Sequence, residues 1–312
     1  MKKRMILTFI IMTLFVSGLY IAKDPSQGSA FVAPTIESSY DVTMKQDILC
    51  LLLAYPGYIK DIEKAEERIY VVLKSGVKLV YDDKKQKSMD RKMANPDLQD
   101  MLEQAYPLTT TGKLMELDYD PSRVRMYDLL KEVYGSNQQQ IEKQLRNVNA
   151  GGKNFQFSKS NGAGEALKSA MTELVSLSQK SNKVAAAAFP SSGTFNYRVI
   201  SGTNRLSPHA FGIAIDLARD SRDYWKWASR EQGQKRLEGY PKEIVALFEK
   251  YNFVWGGKWG HFDILHFEYR PEIILKAKYF GVEHVAGEPW YKGTPDDDKT
   301  KEAIEKIEEA LK

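Results

Sequence analysis

The chain has 312 residues, 43% hydrophobic and 28% charged, a composition that excludes disorder along its whole length. It carries 45 Lys and Arg against 41 Asp and Glu, a net charge of +4. So small a surplus leaves no electrostatic footprint for a nucleic-acid partner, and none is expected.

The first residues stand apart. Lys2, Lys3 and Arg4 precede an uncharged, mostly apolar run of 18 residues from Met5 to Ala22, and Gln27-Gly28-Ser29-Ala30 then supplies small residues of the kind a signal peptidase accepts. This is the layout of a secretory signal. An uncleaved N-terminal membrane anchor is the alternative, because the run approaches a bilayer-spanning length. Either reading places the rest of the chain outside the cytoplasm: secreted, in the cell wall or in the periplasm. Without residues 1–30, 41 positive groups face 40 negative ones, a net of +1.

Residues 31–45 read as a polar, mobile lead-in. A helix is expected from Gln46 to Tyr55, ended by Pro56. It carries Cys50, the only cysteine, so no internal disulfide is possible and a buried, inert thiol is expected. Arg68–Leu73 and Val77–Tyr81 read as a β-hairpin turning at Lys74-Ser75-Gly76, followed by a charged loop from Asp82 to Lys87. Helical patterns return at Asp97–Ala105, at Arg123–Tyr134 with Gly135 as its terminator, and at Gln138–Leu145. Asn147 to Gly152 is a weak boundary signal. Gly164–Ser181 has helical apolar spacing.

From Phe189 to Tyr269 aromatic residues, glycines and short strand-like runs dominate, interrupted by a helix over Pro241–Tyr251. The last segment, Thr300–Lys312, is a charged helix. Its narrow stripe of Ala303, Ile304, Ile307 and Leu311 should dock on the body of the protein. Helices and strands mix without a βαβ rhythm, so the expected class is α+β, a small antiparallel sheet flanked by helices. The expected division is residues 1–30 as signal or anchor, 31–150 as a helix-and-hairpin extension, 151–290 as the domain carrying the chemistry, and 291–312 as the C-terminal helix.

Four histidines occur: His209, His261, His266 and His284. In Leu206-Ser207-Pro208-His209-Ala210-Phe211-Gly212-Ile213-Ala214-Ile215-Asp216-Leu217, Gly212 permits a tight turn and the apolar run puts Asp216 on a buried strand. A buried carboxylate needs a partner. Either backbone amides or a metal shared with His209 would supply one. The second segment, Trp255-Gly256-Gly257-Lys258-Trp259-Gly260-His261-Phe262-Asp263-Ile264-Leu265-His266-Phe267-Glu268, offers His261 or His266 as a further ligand. With no cysteine pair, a zinc ion here would be held by His and carboxylate groups, and three protein ligands leave one position open for water.

Together the segments resemble the zinc D-Ala-D-Ala carboxypeptidases and the related L-Ala-D-Glu endopeptidases of bacteria and phages. The shared pattern is Ser207, His209, Gly212, Ala214 and Asp216, then Asp263 three residues before His266. The likeness runs from about Phe189 to Pro271 and includes Gly193 to Thr203. It implies a cell-wall peptidase that acts on the peptidoglycan stem peptide, with Zn2+ held by His209, Asp216 and His266 and with Asp263 as general base. It also implies an arginine that steadies the carbonyl oxygen, for which Arg198 fits best and Arg205 is the fallback. Ser207 is expected to bond near the metal or substrate, and Trp255 and Trp259 to lie nearest the substrate. Asp rather than Glu before the last histidine, with the Trp-Gly-Gly-x-Trp stretch, leans toward the endopeptidases. The family favours His266 over His261, and His284 reads as an ordinary surface or capping residue. The alternative is a catalytically silent module that keeps the zinc fold and binds cell wall or a protein partner. Oligomeric state is not legible.

Overall fold

A computed structural model describes residues 38–109 and 111–312. The expected signal or anchor, residues 1–30, lies outside the described residues. Among those described, no helix is long and apolar enough to cross a membrane.

The first helix, α1 (Ser39–Ala54), begins earlier than its apolar text suggests. The Ser38 hydroxyl accepts from the Asp41 amide as an N-cap, and Val42 and Met44 are buried, so residues 39–45 are helix rather than mobile lead-in. Cys50 is buried in α1 as a free thiol, and burial pushes its pKa well up. Next come β1 (Ile59–Ala65), β2 (Arg68–Leu73) and β3 (Lys78–Val80), an antiparallel sheet in that order. The expected hairpin is β2–β3; β1 escaped notice because Lys60, Asp61, Glu63 and Lys64 mask its few buried positions.

Three short helices follow, α2 (Met89–Ala94), α3 (Leu98–Leu102) and, after a long irregular stretch, α4 (Tyr127–Tyr134). Asp97 and Asp100 form a capping box on α3. The helix expected from Arg123 starts only at Tyr127; ahead of it Arg123 bonds back to Asp120 and Arg125 reaches Glu268. Helix α5 (Gln138–Lys143) leads into the hairpin β4 (Leu145–Ala150) and β5 (Lys153–Ser158). Gly151 and Gly152, at φ +56° and +74°, are its turn. Helices α6 (Ala163–Ser178) and α7 (Asn182–Ala188) complete this half.

The remaining elements are β6 (Ala214–Asp216), α8 (Arg230–Gly239), α9 (Lys242–Lys250), β7 (Phe253–Trp255), β8 (His266–Tyr269), α10 (Pro271–Phe280) and α11 (Asp298–Leu311). Strands β6, β8 and β7 make an antiparallel sheet with β8 in the middle. The fold is therefore α+β, as expected. Phe248, Phe253 and Phe267 pack behind this sheet with Ile213 and Ile215. Helix α11 docks on α1 and β1, with Ile307 of its stripe fully buried. The described residues belong to one compact unit.

Candidate metal centre

Strand pairing sets the site. Asp216 at the end of β6 lies directly opposite His266 at the start of β8. His209 arrives from a 3-10 turn, Pro208–Phe211, whose N-cap is Ser207; the Ser207 hydroxyl accepts from the His209 amide at 3.3 Å. Gly212 closes the turn at φ +67°, and a Cβ there would meet Leu145 Cδ2 at 2.6 Å. The positive φ is what calls for glycine here.

Three donor atoms converge: His209 Nε2 and His266 Nδ1 are 3.2 Å apart, and Asp216 Oδ1 lies 3.2 Å from the first and 3.0 Å from the second. A tetrahedral zinc with bonds of 2.0–2.1 Å would hold its donors roughly 3.3 Å apart. The donor set therefore fits such an ion in both kind and spacing. His209 Nδ1 lies 2.5 Å from the Thr194 carbonyl oxygen, which accepts a hydrogen bond from Nδ1–H and so selects the tautomer with an unprotonated Nε2 facing inward.

The electrostatics agree. Burial alone would push the His266 imidazole down, but Asp216, Glu268 and Asp263 override it and push it up to about 10. Burial would likewise raise Asp216, yet the two imidazoles hold it well below the usual carboxylate range. The pocket strongly favours positive charge at the point where the three donors meet.

Asp263 precedes His266 by three residues, and the His266 amide donates to its carbonyl oxygen at 3.1 Å. Among the described residues its carboxylate has no hydrogen-bond partner. Burial, with the nearby charges of Asp216 and Asp223, pushes it up to about 7 against the pull of His266 and Arg123. Such a group can both take and release a proton near neutrality.

The other predicted residues fall as follows. The Arg198 side chain is exposed; its carbonyl accepts from the Ser207 amide at 3.0 Å, and its charge and that of Asp263 both act on the Tyr224 phenol. The Arg205 guanidinium is bonded to the Met93 carbonyl. Trp259 lies beside His266, ring centroids 5.7 Å apart. Trp255 is buried in the core between Tyr240 and Phe267, its indole N–H bonded to the Ile264 carbonyl at 2.7 Å.

His261, the rival ligand, is engaged elsewhere: its amide and Nδ1 meet the buried Asp120 carboxylate at 2.9 and 2.7 Å. His284 Nε2 lies 3.0 Å from the Glu288 carbonyl oxygen. A second acidic cluster, Asp82, Asp83 and Asp97, already holds a cation, since Lys87 Nζ lies 3.2 Å from Asp83 and 2.9 Å from Asp97.

Comparison with known proteins bears on this same stretch. Residues 201–269 match the family model described as D-alanyl-D-alanine carboxypeptidase. Over that segment the chain is similar to the D-alanyl-D-alanine carboxypeptidase family. No curated protein and no solved structure matches the chain. The matched segment contains all three donors and Asp263 but begins well after residues 115–125, which pack across it.

Sequence reasoning missed that surround. Residues 115–125 are strapped across the family segment: Trp259 Nε1 donates to the Pro121 carbonyl at 2.8 Å, and the Gly260 amide donates to the Tyr119 carbonyl at 2.8 Å. Arg270 Nη1 and Nη2 donate to the carbonyls of Ser122 and Val124 at 2.6 and 3.3 Å. Arg125 pairs with Glu268. Burial would raise the Glu268 carboxyl, but Arg125 holds it well below the usual range. The only advance signal was an arginine pair, Arg123 and Arg125, in a segment read as helix.

Proposed function

We propose that this chain is a zinc-dependent peptidase that works outside the cytoplasm and hydrolyses a peptide bond in the stem peptide of peptidoglycan. Cleavage between L-Ala and D-Glu is favoured over removal of a terminal D-Ala, because Asp263, not Glu, precedes His266. One observation carries the reading: the donor atoms of His209, Asp216 and His266 lie 3.0–3.2 Å apart, beside the Asp263 carboxylate, which has no hydrogen-bond partner among the described residues.

His209, Asp216 and His266 would hold the ion. Bound zinc supplies Lewis acidity, polarising the scissile carbonyl and making water acidic enough to attack near neutral pH. Asp263 takes one proton from the attacking water and then delivers it to the leaving amine, so it ends the cycle as it began. Arg198 reaches from the exposed Arg198–Ser207 loop to face the carbonyl oxygen as its negative charge develops. Trp259 forms the cleft wall next to His266, while Ser207 and Trp255 hold the two metal loops in shape. Residues 151–290 carry these groups, and the described part of residues 31–150 packs on them as an extension.

The test uses the purified chain and a defined stem peptide ending in D-Ala-D-Ala, with and without chelator, with products read by mass. A chelator-sensitive cut between L-Ala and D-Glu is expected. Loss of a terminal alanine would reassign the bond. Bound zinc without cleavage of peptide or intact wall would leave a silent binding module.

A further inference from the structure

Arg125 reaches the candidate metal centre from outside the carboxypeptidase-family segment. It lies in the irregular stretch just before α4, and its guanidinium is buried. Nε donates to Glu268 Oε1 at 2.8 Å and Oε2 at 3.1 Å, and Nη2 donates to Oε2 at 2.6 Å. Nη1 is taken by the Arg123 carbonyl at 2.9 Å, so the fork cannot swing.

Glu268 is fully buried on β8, two residues from His266 and therefore on the same side of that strand. Its Oε2 lies 3.9 Å from His266 Nε2, the ring nitrogen turned away from Asp216. The Trp259 ring lies close to both ends of the chain, 5.7 Å from the His266 ring and 6.0 Å from the Arg125 guanidinium carbon. A carboxylate behind the distal nitrogen of a ligating imidazole fixes the tautomer and ring orientation and makes the proximal nitrogen a better ligand. A buried carboxylate can serve that purpose only while its own charge is matched.

We infer that Arg125 is a positioning residue of the metal centre: by fixing the Glu268 carboxylate it holds His266 with Nδ1 turned to meet Asp216 and His209. Residues 31–150 thereby supply a working part of the site and not merely its packing. The inference rests on the metal-peptidase reading above.

The test is zinc affinity, measured by competition with a chromophoric chelator, alongside the Tm of the metal-free protein. The chains compared are wild type, Arg125→Met, Arg125→Lys, Glu268→Gln and Asp47→Asn. Asp47 is a control for stability alone, since it is buried with Tyr81 and Lys276 and shares no partner with the metal ligands. Arg125→Met and Glu268→Gln are each expected to weaken zinc binding by about ten- to a hundredfold. Arg125→Lys keeps the charge but loses the planar fork, so it should fall between them and wild type. The double variant, Arg125→Met with Glu268→Gln, should lose little more than the worse single one, because the two act in series. Asp47→Asn should shift Tm and leave zinc affinity unchanged. The inference is overturned if folded Arg125→Met binds zinc as wild type does, or if Asp47→Asn weakens binding as much. Should Arg125→Met fail to fold, wild-type affinity in Arg125→Lys overturns it instead. A wild-type chain that takes up no zinc overturns the metal-peptidase reading itself, and this inference with it.

Discussion

At Asp263 stability and function oppose each other. Burial and the charges of Asp216 and Asp223 raise its pKa from 3.8 to about 7 in the metal-free protein. The folded chain then binds this proton more tightly than the unfolded chain does. That contribution is fully present below about pH 4 and is lost as pH rises through about 7. Asp263→Asn is therefore expected to stabilise the metal-free protein at pH 8 by roughly 1–3 kcal/mol, and by much less at pH 4. Thermal unfolding at the two pH values checks it; equal shifts would refute it. The same substitution should lower stem-peptide turnover by at least about a hundredfold while zinc stays bound, because a general base must be ionised to work. The grouping of His209, Asp216 and His266 could be foreseen from two short motifs together with the family resemblance, which favours His266 over His261. Arg125 could not be, because its bond to Glu268 spans 143 positions and leaves no local pattern.

The loops that hold these side chains depend on two glycines for different reasons. Gly212 needs a positive φ and has Leu145 Cδ2 at 2.6 Å from where a Cβ would stand. Gly260 has no unusual φ, but a Cβ there would lie 1.9 Å from the Glu116 carbonyl oxygen and 2.6 Å from that of Leu117. Backbone atoms cannot rotate away as a side-chain end can, so the strap must lift as a unit. Gly260→Ala should cost about 2–4 kcal/mol in stability and free the strap. Hydrogen exchange should show the Gly260 amide, now bonded to the Tyr119 carbonyl, losing its protection. Gly212→Ala should cost about 1–3 kcal/mol and also weaken zinc binding, since it displaces His209 relative to Asp216. Unchanged chelator competition in a folded Gly212→Ala protein would show the turn to be uncoupled from the site. The turn around Gly212 could be foreseen because its glycine falls between two candidate ligands. The strap could not, because residues 115–122 carry no regular period in the sequence and Arg123 and Arg125 fall inside a segment that reads as helix.

Over the whole molecule, the family-matched segment carries the donors, while much of what satisfies its buried polar groups comes from earlier in the chain. A fragment starting at residue 151 would lose Arg125 from Glu268, Asp120 from His261, and the Ser122 and Val124 carbonyls from Arg270. It would also lose the Pro107 carbonyl from the buried Lys258 ammonium, and β4 from the edge of β5. Stripping one partner from a buried ion pair costs about 3–5 kcal/mol, and each orphaned buried donor about 1–3 kcal/mol more. Those losses together match or exceed the 5–15 kcal/mol by which a typical domain is stable. Zinc at a thousandfold excess over its Kd returns only about 4 kcal/mol. The fragment 151–312 is therefore expected to remain unfolded with or without zinc, whereas residues 38–312 should fold and gain thermal stability on adding the ion. Amide dispersion in an NMR spectrum of each distinguishes them. A native-like spectrum from the short fragment would mean that the family segment is self-sufficient and the strap an ornament on it.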